Sequence, residues 1–200
     1  MVVIDAAGFA PGFADPVVQS QQTFRAALDA MAHPGRIVPL PAAPPPPLPL
    51  NPAAYALCLA LVDFETPLWL DEAAATDEVI ESLRFHCGCP LVDAPEAARF
   101  ALIAGTDALL PLDAFDPGLD PYPDRSATLI IQVQTMAPSP GVRLFGPGIA
   151  DRAALDLACV PAGFWREWRR NHALYPRGVD VIFAAPDTMA ALPRSVAVED

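Results

Sequence analysis

The chain has 200 residues, 53% of them hydrophobic, and a formal charge of −12. That length suits one domain that buries most of its unfolded surface, and the composition excludes disorder. The acidic balance excludes nucleic-acid binding by phosphate neutralisation and leaves a face suited to a basic protein. All twelve positive side chains are arginine. Schiff-base chemistry, a covalently held pyridoxal cofactor and the P-loop lysine are thereby excluded together. A GC-rich genome also produces such a composition, but the chemical exclusion stands either way. The longest apolar run, residues 53–62, is about half of a membrane span and stops at Asp63. The N-terminal residues carry no basic stretch and do not read as a secretory signal. Four cysteines are too few for a disulfide scaffold, so a reducing cytoplasm is expected.

Residues 1–14 form a Gly/Pro-containing arm, expected to be flexible, before Asp15-Pro16 supplies an N-cap and a first-turn proline. Val17, Gln21, Phe24, Leu28 and Met31 then recur at helical spacing and predict a helix ending at His33-Pro34-Gly35. Residues 36–40 read as extended. The stretch PAAPPPPLPLNP (41–52) is a polyproline connector: a rigid surface spacer, or, as the alternative, a ligand for an aromatic groove of a partner. A buried helix is expected over 53–64, with Leu57, Leu61 and Phe64 on one stripe, then a short strand over 68–70. Asp77 opens a helix with acids in its first turn, Arg84 and His86 in its last, and Gly88 at the C-terminal stop. Strands are expected over 91–93, 100–105, 128–134, 142–146, 179–185 and 194–198, and a helix over 161–174. Continuous apolar runs such as TLIIQV suit a sheet covered on both faces. The expected fold is one α/β domain over residues 1–200, three layers deep, with a mixed and mostly parallel sheet.

Four constellations could carry chemistry. His86, Cys87 and Cys89 hold half the vocabulary of a metal or thiol site, but one Cys-x-Cys stands alone without a second ligand pair. Cys58 and Cys159 read as core, and neither His33 nor His172 is marked as a partner for a catalytic thiol. No metal is expected there. In LFGPGI (144–149) the third glycine of a dinucleotide fingerprint is missing and Pro147 removes a donor, so a tight turn is expected. Arg166, Arg169 and Arg170 share a helix face as an anion surface, with pairing to carboxylates as the alternative. YPDRSATL (122–129) and YPRGVDVI (175–182) each place an aromatic, a proline and an arginine before a buried strand. If those strands are neighbours, Asp124, Arg125, Ser126, Arg177 and Asp180 gather at one sheet edge, as a ligand site or as a network fixing the loops. Arg84 and His86 remain as a place for a partner contact.

Taken together, FRAALDAMAHPGRI (24–37), DFETPLWL (63–70), LRFHCGCPL (83–91), GTD (105–107), YPDRSATLIIQV (122–133), LFGPGI (144–149), YPRGVDVIF (175–183) and LPRS (192–195) resemble the PhnH family. That family is a subunit of the bacterial carbon–phosphorus lyase system for phosphonate use. The resemblance is collinear over nearly the whole chain, the arm and the proline connector excepted. It implies a three-layer α/β fold similar to a shortened pyridoxal-phosphate-dependent transferase without the cofactor lysine. It also implies a core complex with the G, I and J subunits that makes alpha-D-ribose 1-methylphosphonate 5-triphosphate from ATP and an alkylphosphonate, displacing adenine. The J subunit, with an iron–sulfur cluster and S-adenosylmethionine, later cleaves the carbon–phosphorus bond. The subunit itself is expected to be an accessory, non-catalytic part with no cofactor, and the resemblance transfers no catalytic residue. In isolation a homodimer is expected, since partner-facing apolar surface would otherwise be exposed. The alternative is an independent small-molecule enzyme using an arginine-lined anion site or the Cys/His thiols.

Overall fold

The Asp15 carboxylate accepts from the Val18 amide at 3.1 Å, and with Pro16 it starts the first helix, α1 (Pro16–Ala32), at the expected place. The computed structural model describes residues 9–158, 160, 161 and 163–199, so Cys159 and most of the N-terminal arm lie outside the described residues. Nine strands and four α-helices follow in the order α1, β1 (Val38–Pro39), α2 (Pro52–Leu61), β2 (Leu68–Leu70), α3 (Asp77–Cys87), β3 (Phe100–Ile103), β4 (Thr128–Gln132), β5 (Met136–Phe145), β6 (Ala153–Leu157), α4 (Phe164–His172), β7 (Asp180–Ala185), β8 (Thr188–Leu192) and β9 (Ala197–Glu199) among the described residues.

A six-stranded sheet runs β1-β8-β7-β4-β3-β2. Strands β2, β3, β4 and β7 are mutually parallel, while β8 pairs antiparallel with β7 and β1 with β8. Alternate residues of each strand serve opposite cores, as the two-residue repeat of a strand requires. Leu68, Leu102, Ile130 and Ile182 join α1, α2 and α3 in one core; Ala101, Ile103, Leu129, Ile131 and Phe183 join α4 and a second sheet in the other. That second sheet, β6-β5-β9, is antiparallel. The result is the expected three-layer α/β domain with a mixed sheet.

Helix α2 is buried on all sides from Ala53 to Cys58, as a helix wedged between two others and a sheet must be. Its N-cap Asn51 accepts from Ala54 N at 2.8 Å and donates to the Ala184 carbonyl at 2.8 Å, tying the helix start to β7. The proline connector leading to it is docked, not free-standing. Pro44 and Pro47 are buried three residues apart, the repeat of a polyproline helix laying one face on the protein, and a turn closed by the Leu50 amide on the Pro47 carbonyl at 2.9 Å then buries Leu50.

Three expectations change. The helical stripe Val17, Phe24 and Leu28 faces outward, 79%, 49% and 56% exposed, while Thr23, Ala26, Ala27 and Ala30 form the buried face. Small side chains let α1 lie close on α2 and β8, which it contacts, so the larger ones are left outside. Phe64 is likewise exposed, because α2 stops at Leu61 with Val62 as its cap. The expected strand over 91–93 reduces to one bridge from Leu91 to Leu68. The tight turn at Gly146–Gly148 holds: Gly148 has φ +84°, and a Cβ there would lie 2.2 Å from the Ala32 carbonyl oxygen. Only glycine fits so close to the end of α1.

Candidate functional site

The parallel strands give the sheet two chemically different ends. At the amino end, Thr128 of β4 lies opposite Asp180 of β7, so the two Tyr-Pro segments do meet. The basic partner of Asp180 is Arg194, which the sequence reading missed. Its backbone amide and Nε reach Asp180 Oδ1 at 2.8 and 3.0 Å, Nη2 pairs with Oδ2, and Nη1 donates to the Pro123 carbonyl. Both side chains are largely buried. Both carboxylate oxygens are therefore occupied, and the group acts as a clamp joining β7, the segment after β8 and the turn Pro123–Arg125. Ser126 is buried beside it in sequence, with its hydroxyl unpartnered among the described residues. Arg125 lies over the Tyr122 ring at 4.3 Å and Asp124 is exposed. Arg177 Nε stands 2.9 Å from Asp120 Oδ1, close enough for an ion pair although not aligned as a hydrogen bond.

Helix α4 supports the same end. Trp168 Nε1 donates to Val196 O at 2.9 Å, Asn171 holds both backbone groups of Val179 at 2.8 Å, and His172 Nδ1 meets Arg194 O at 2.9 Å. Its outer face brings Arg166 and Arg170 to either side of Glu167, at 3.7 and 2.9 Å. Arg169 is half-buried. Ion pairing within the helix thus takes up charge that the anion-surface reading requires.

At the end of α3, Gly88 adopts φ +65° and caps the helix, its amide reaching Arg84 O at 3.1 Å. His86 Nε2 meets Ala10 O at 2.8 Å, Ser82 Oγ accepts from Ala10 N at 3.1 Å, and Phe85 stacks on Phe9 at 4.7 Å. The described part of the arm is therefore strapped along α3, and His86 is used internally. Arg84 is exposed. Cys87 Sγ points at Cys58 O, 3.7 Å away. Burial and the neighbouring thiols raise the Cys58 thiol, burial, then Cys89 and Asp63, push Cys87 up to about 12, and burial raises Cys89 against the lowering influence of Arg84. Among the described residues no three His, Cys, Asp or Glu side chains converge as metal donors.

These thiols carry a prediction. Raised values in the fold mean that the unfolded chain, ionising near 9.0, loses its thiol protons first. Their contribution to stability is intact below that pH and is lost as pH rises through the folded value of about 12 at Cys87. At pH 8 an aromatic disulfide reagent is expected to leave Cys58, Cys87 and Cys89 unmodified until the chain is unfolded. Fast native reaction at one of them contradicts the burial described.

The carboxyl end of the sheet holds a crevice that no motif announced. Trp69, Asp71, Glu72, Ala73, Gly105, Asp107 and Leu110 line a cavity of about 610 Å³. Buried Asp71 fixes its walls, accepting from Ala74 N and Gly105 N at 2.8 Å each. The signal available in advance was positional: DEAAAT and GTD are the loops directly after two parallel strands, where open α/β sheets place ligands.

The geometry is that of an α/β domain whose buried polar groups hold loops in place. Comparison with known proteins gives it a lineage. A sequence profile described as "Bacterial phosphonate metabolism protein (PhnH)" matches residues 11–199. The chain is 35% identical over 191 residues to the "Alpha-D-ribose 1-methylphosphonate 5-triphosphate synthase subunit PhnH" of Rhizobium meliloti, covering 96% of each chain. It is 29% identical over 181 residues to the "Putative C-P lyase subunit protein HtxG" of Stutzerimonas stutzeri, covering 88% of this chain and 84% of that one. With both ends of the domain inside the match, the chain belongs to the PhnH family of bacterial phosphonate metabolism proteins.

Proposed function

We propose that the chain is an accessory subunit of the carbon–phosphorus lyase core, required for making alpha-D-ribose 1-methylphosphonate 5-triphosphate and supplying surface instead of catalytic groups. The observation that carries this reading is the match to the Rhizobium meliloti subunit across 96% of both chains. The internal use of Asp180, Arg194, His86 and Glu167 supports it, because the strongest polar constellations already have partners within the chain. The same pairing counts against the independent enzyme with an arginine-lined anion site. The G, I and J subunits are its partners in this reading, in the cytoplasm; no helix among the described residues is long and apolar enough to cross a membrane. Isolated from them, the chain pairs with a second copy of itself. The outward row Val17, Gln21, Phe24, Leu28 is spaced four, three and four residues apart, the spacing with which like helices pack along a seam. A two-fold pairing lets each copy cover the other's row.

Co-expression with the three other subunits tests the assembly. The tagged chain is expected to carry them through purification, and removing it is expected to abolish synthesis of the triphosphate product. A stable complex of G, I and J that is fully active without this chain overturns the proposal.

A further inference from the structure

The largest cavity described lies between β2 and β3, and the chain path explains why it is there. After β2 the chain crosses to the face covered by α3, whose Val79 and Leu83 join the helical core. After β3 it crosses to the opposite face, where Leu112 and Phe115 join the other core. Two neighbouring parallel strands, paired from Leu68–Phe100 to Leu70–Leu102, thus send their following loops apart. A crevice must open between them at the carboxyl ends, the place where open α/β sheets bind ligands. Its volume of about 610 Å³ falls within the roughly 300–1,000 Å³ of small-molecule sites.

The lining decides what fits. Trp69 is held rigid: its indole nitrogen donates to Asp93 O at 3.2 Å, and its ring meets Phe115 edge to face at 5.5 Å. Its donor is spent, so it offers the cavity aromatic surface. Ala73 and Leu110 add apolar surface. The acidic groups are Asp71, Glu72 and Asp107, and no arginine or histidine lines the space. Asp71 is occupied by the two amides it accepts from, whereas Glu72 and Asp107 are exposed and have no hydrogen-bond or ionic partner among the described residues. Phosphate, phosphonate and carboxylate groups would meet three like charges and no donor side chain. A metal ion is equally unsuited, since no three donor side chains converge.

We propose that this crevice binds a small organic cation with an apolar body: an ammonium or guanidinium group directed to Glu72 and Asp107, and an aromatic or aliphatic portion against Trp69 and Leu110. An ammonium near an aromatic face gains a further attraction of cation–π type. The site is separate from the assembly surface on α1 and does not depend on the accessory role.

Isothermal titration of the full chain at low salt tests it with three probes of similar shape: phenethylamine, the neutral 2-phenylethanol and the anionic 3-phenylpropanoate. Phenethylamine is expected to bind at least about tenfold more tightly than the alcohol, an electrostatic difference on the order of one decade in affinity, and the carboxylate is expected not to bind. The double variant Glu72→Gln/Asp107→Asn alters exposed side chains only. It is expected to keep the wild-type melting temperature and alcohol affinity while the amine loses its tenfold preference. Equal affinity for amine and alcohol, binding of the carboxylate, absence of amine binding, or an unchanged preference in the double variant each overturns the proposal.

Discussion

Replacing Arg194 by alanine is expected to destabilise the fold by roughly 3–5 kcal/mol, the range for removing one partner of a buried ion pair. The side chains of Arg194 and Asp180 are only 15% and 12% exposed. After the substitution the carboxylate keeps the backbone amide of residue 194 and loses both guanidinium contacts, and the Pro123 carbonyl loses its donor as well. Most of the cost is the uncompensated buried charge, so the double variant Arg194→Ala/Asp180→Ala is expected to be less destabilised than the sum of the two single ones. Arg170→Ala provides the contrast. Its pair with Glu167, at 2.9 Å, sits on the surface with the arginine 69% exposed, where such pairs contribute about 0–1 kcal/mol. Urea unfolding of the four variants decides the matter: similar losses for Arg194→Ala and Arg170→Ala contradict the clamp. Against a total stability of roughly 5–15 kcal/mol for a domain, loss of the clamp is expected to lower expression of soluble subunit.

The second large effect is expected at α1. Phe24→Glu with Leu28→Glu places two charges in the outward row while leaving the buried Thr23, Ala26, Ala27 and Ala30 face untouched. Stability of the monomer is expected to change by about 0.5 kcal/mol or less per site, as for surface positions in general. Self-association is expected to be lost, because like charges desolvated across a two-fold seam cost more than the apolar contact they replace. Light scattering is expected to give twice the chain mass for the wild-type protein and the single chain mass for the variant. A monomeric wild-type protein contradicts the pairing itself; a dimeric variant contradicts its assignment to α1.

The two cases show where reading from residues succeeds and where it stops. The end points of α1 and α3 were legible because such signals act locally: Asp15 on Val18, the acids in the first turn of α3, Gly88 back to Arg84. Which side of α1 turns inward was not legible. Hydrophobic spacing predicts that the large side chains face the core, but close approach to α2 and β8 selected the alanine face. Strands β6 and β8 were not expected, and the final strand, expected over 194–198, begins only at Ala197 as β9. Each is three to five residues long and is held by its sheet partners, β6 and β9 on either side of β5 and β8 between β7 and β1, so propensity within the segment says little. The strand expected over 142–146 covers only the last part of β5, which begins at Met136 and accommodates its prolines with an irregular register between Ala137 and Val142.

The sequence by itself determined the arginine-only set of cations, the caps, the buried character of β4 and β7, and a collinear series of segments that marks the family. It also put Asp124 and Ser126 just before one strand and Asp180 at the start of another, and the two strands do pair. Only the tertiary structure decided that Asp180 answers to Arg194, that His86 holds the arm, that a hydrophobic row stays outside on α1, and that a crevice opens after β2 and β3. The physical reason is range. Capping and periodicity act within about four residues along the chain; ion-pair partners, exposed faces and crevices depend on which side of the sheet each connection takes.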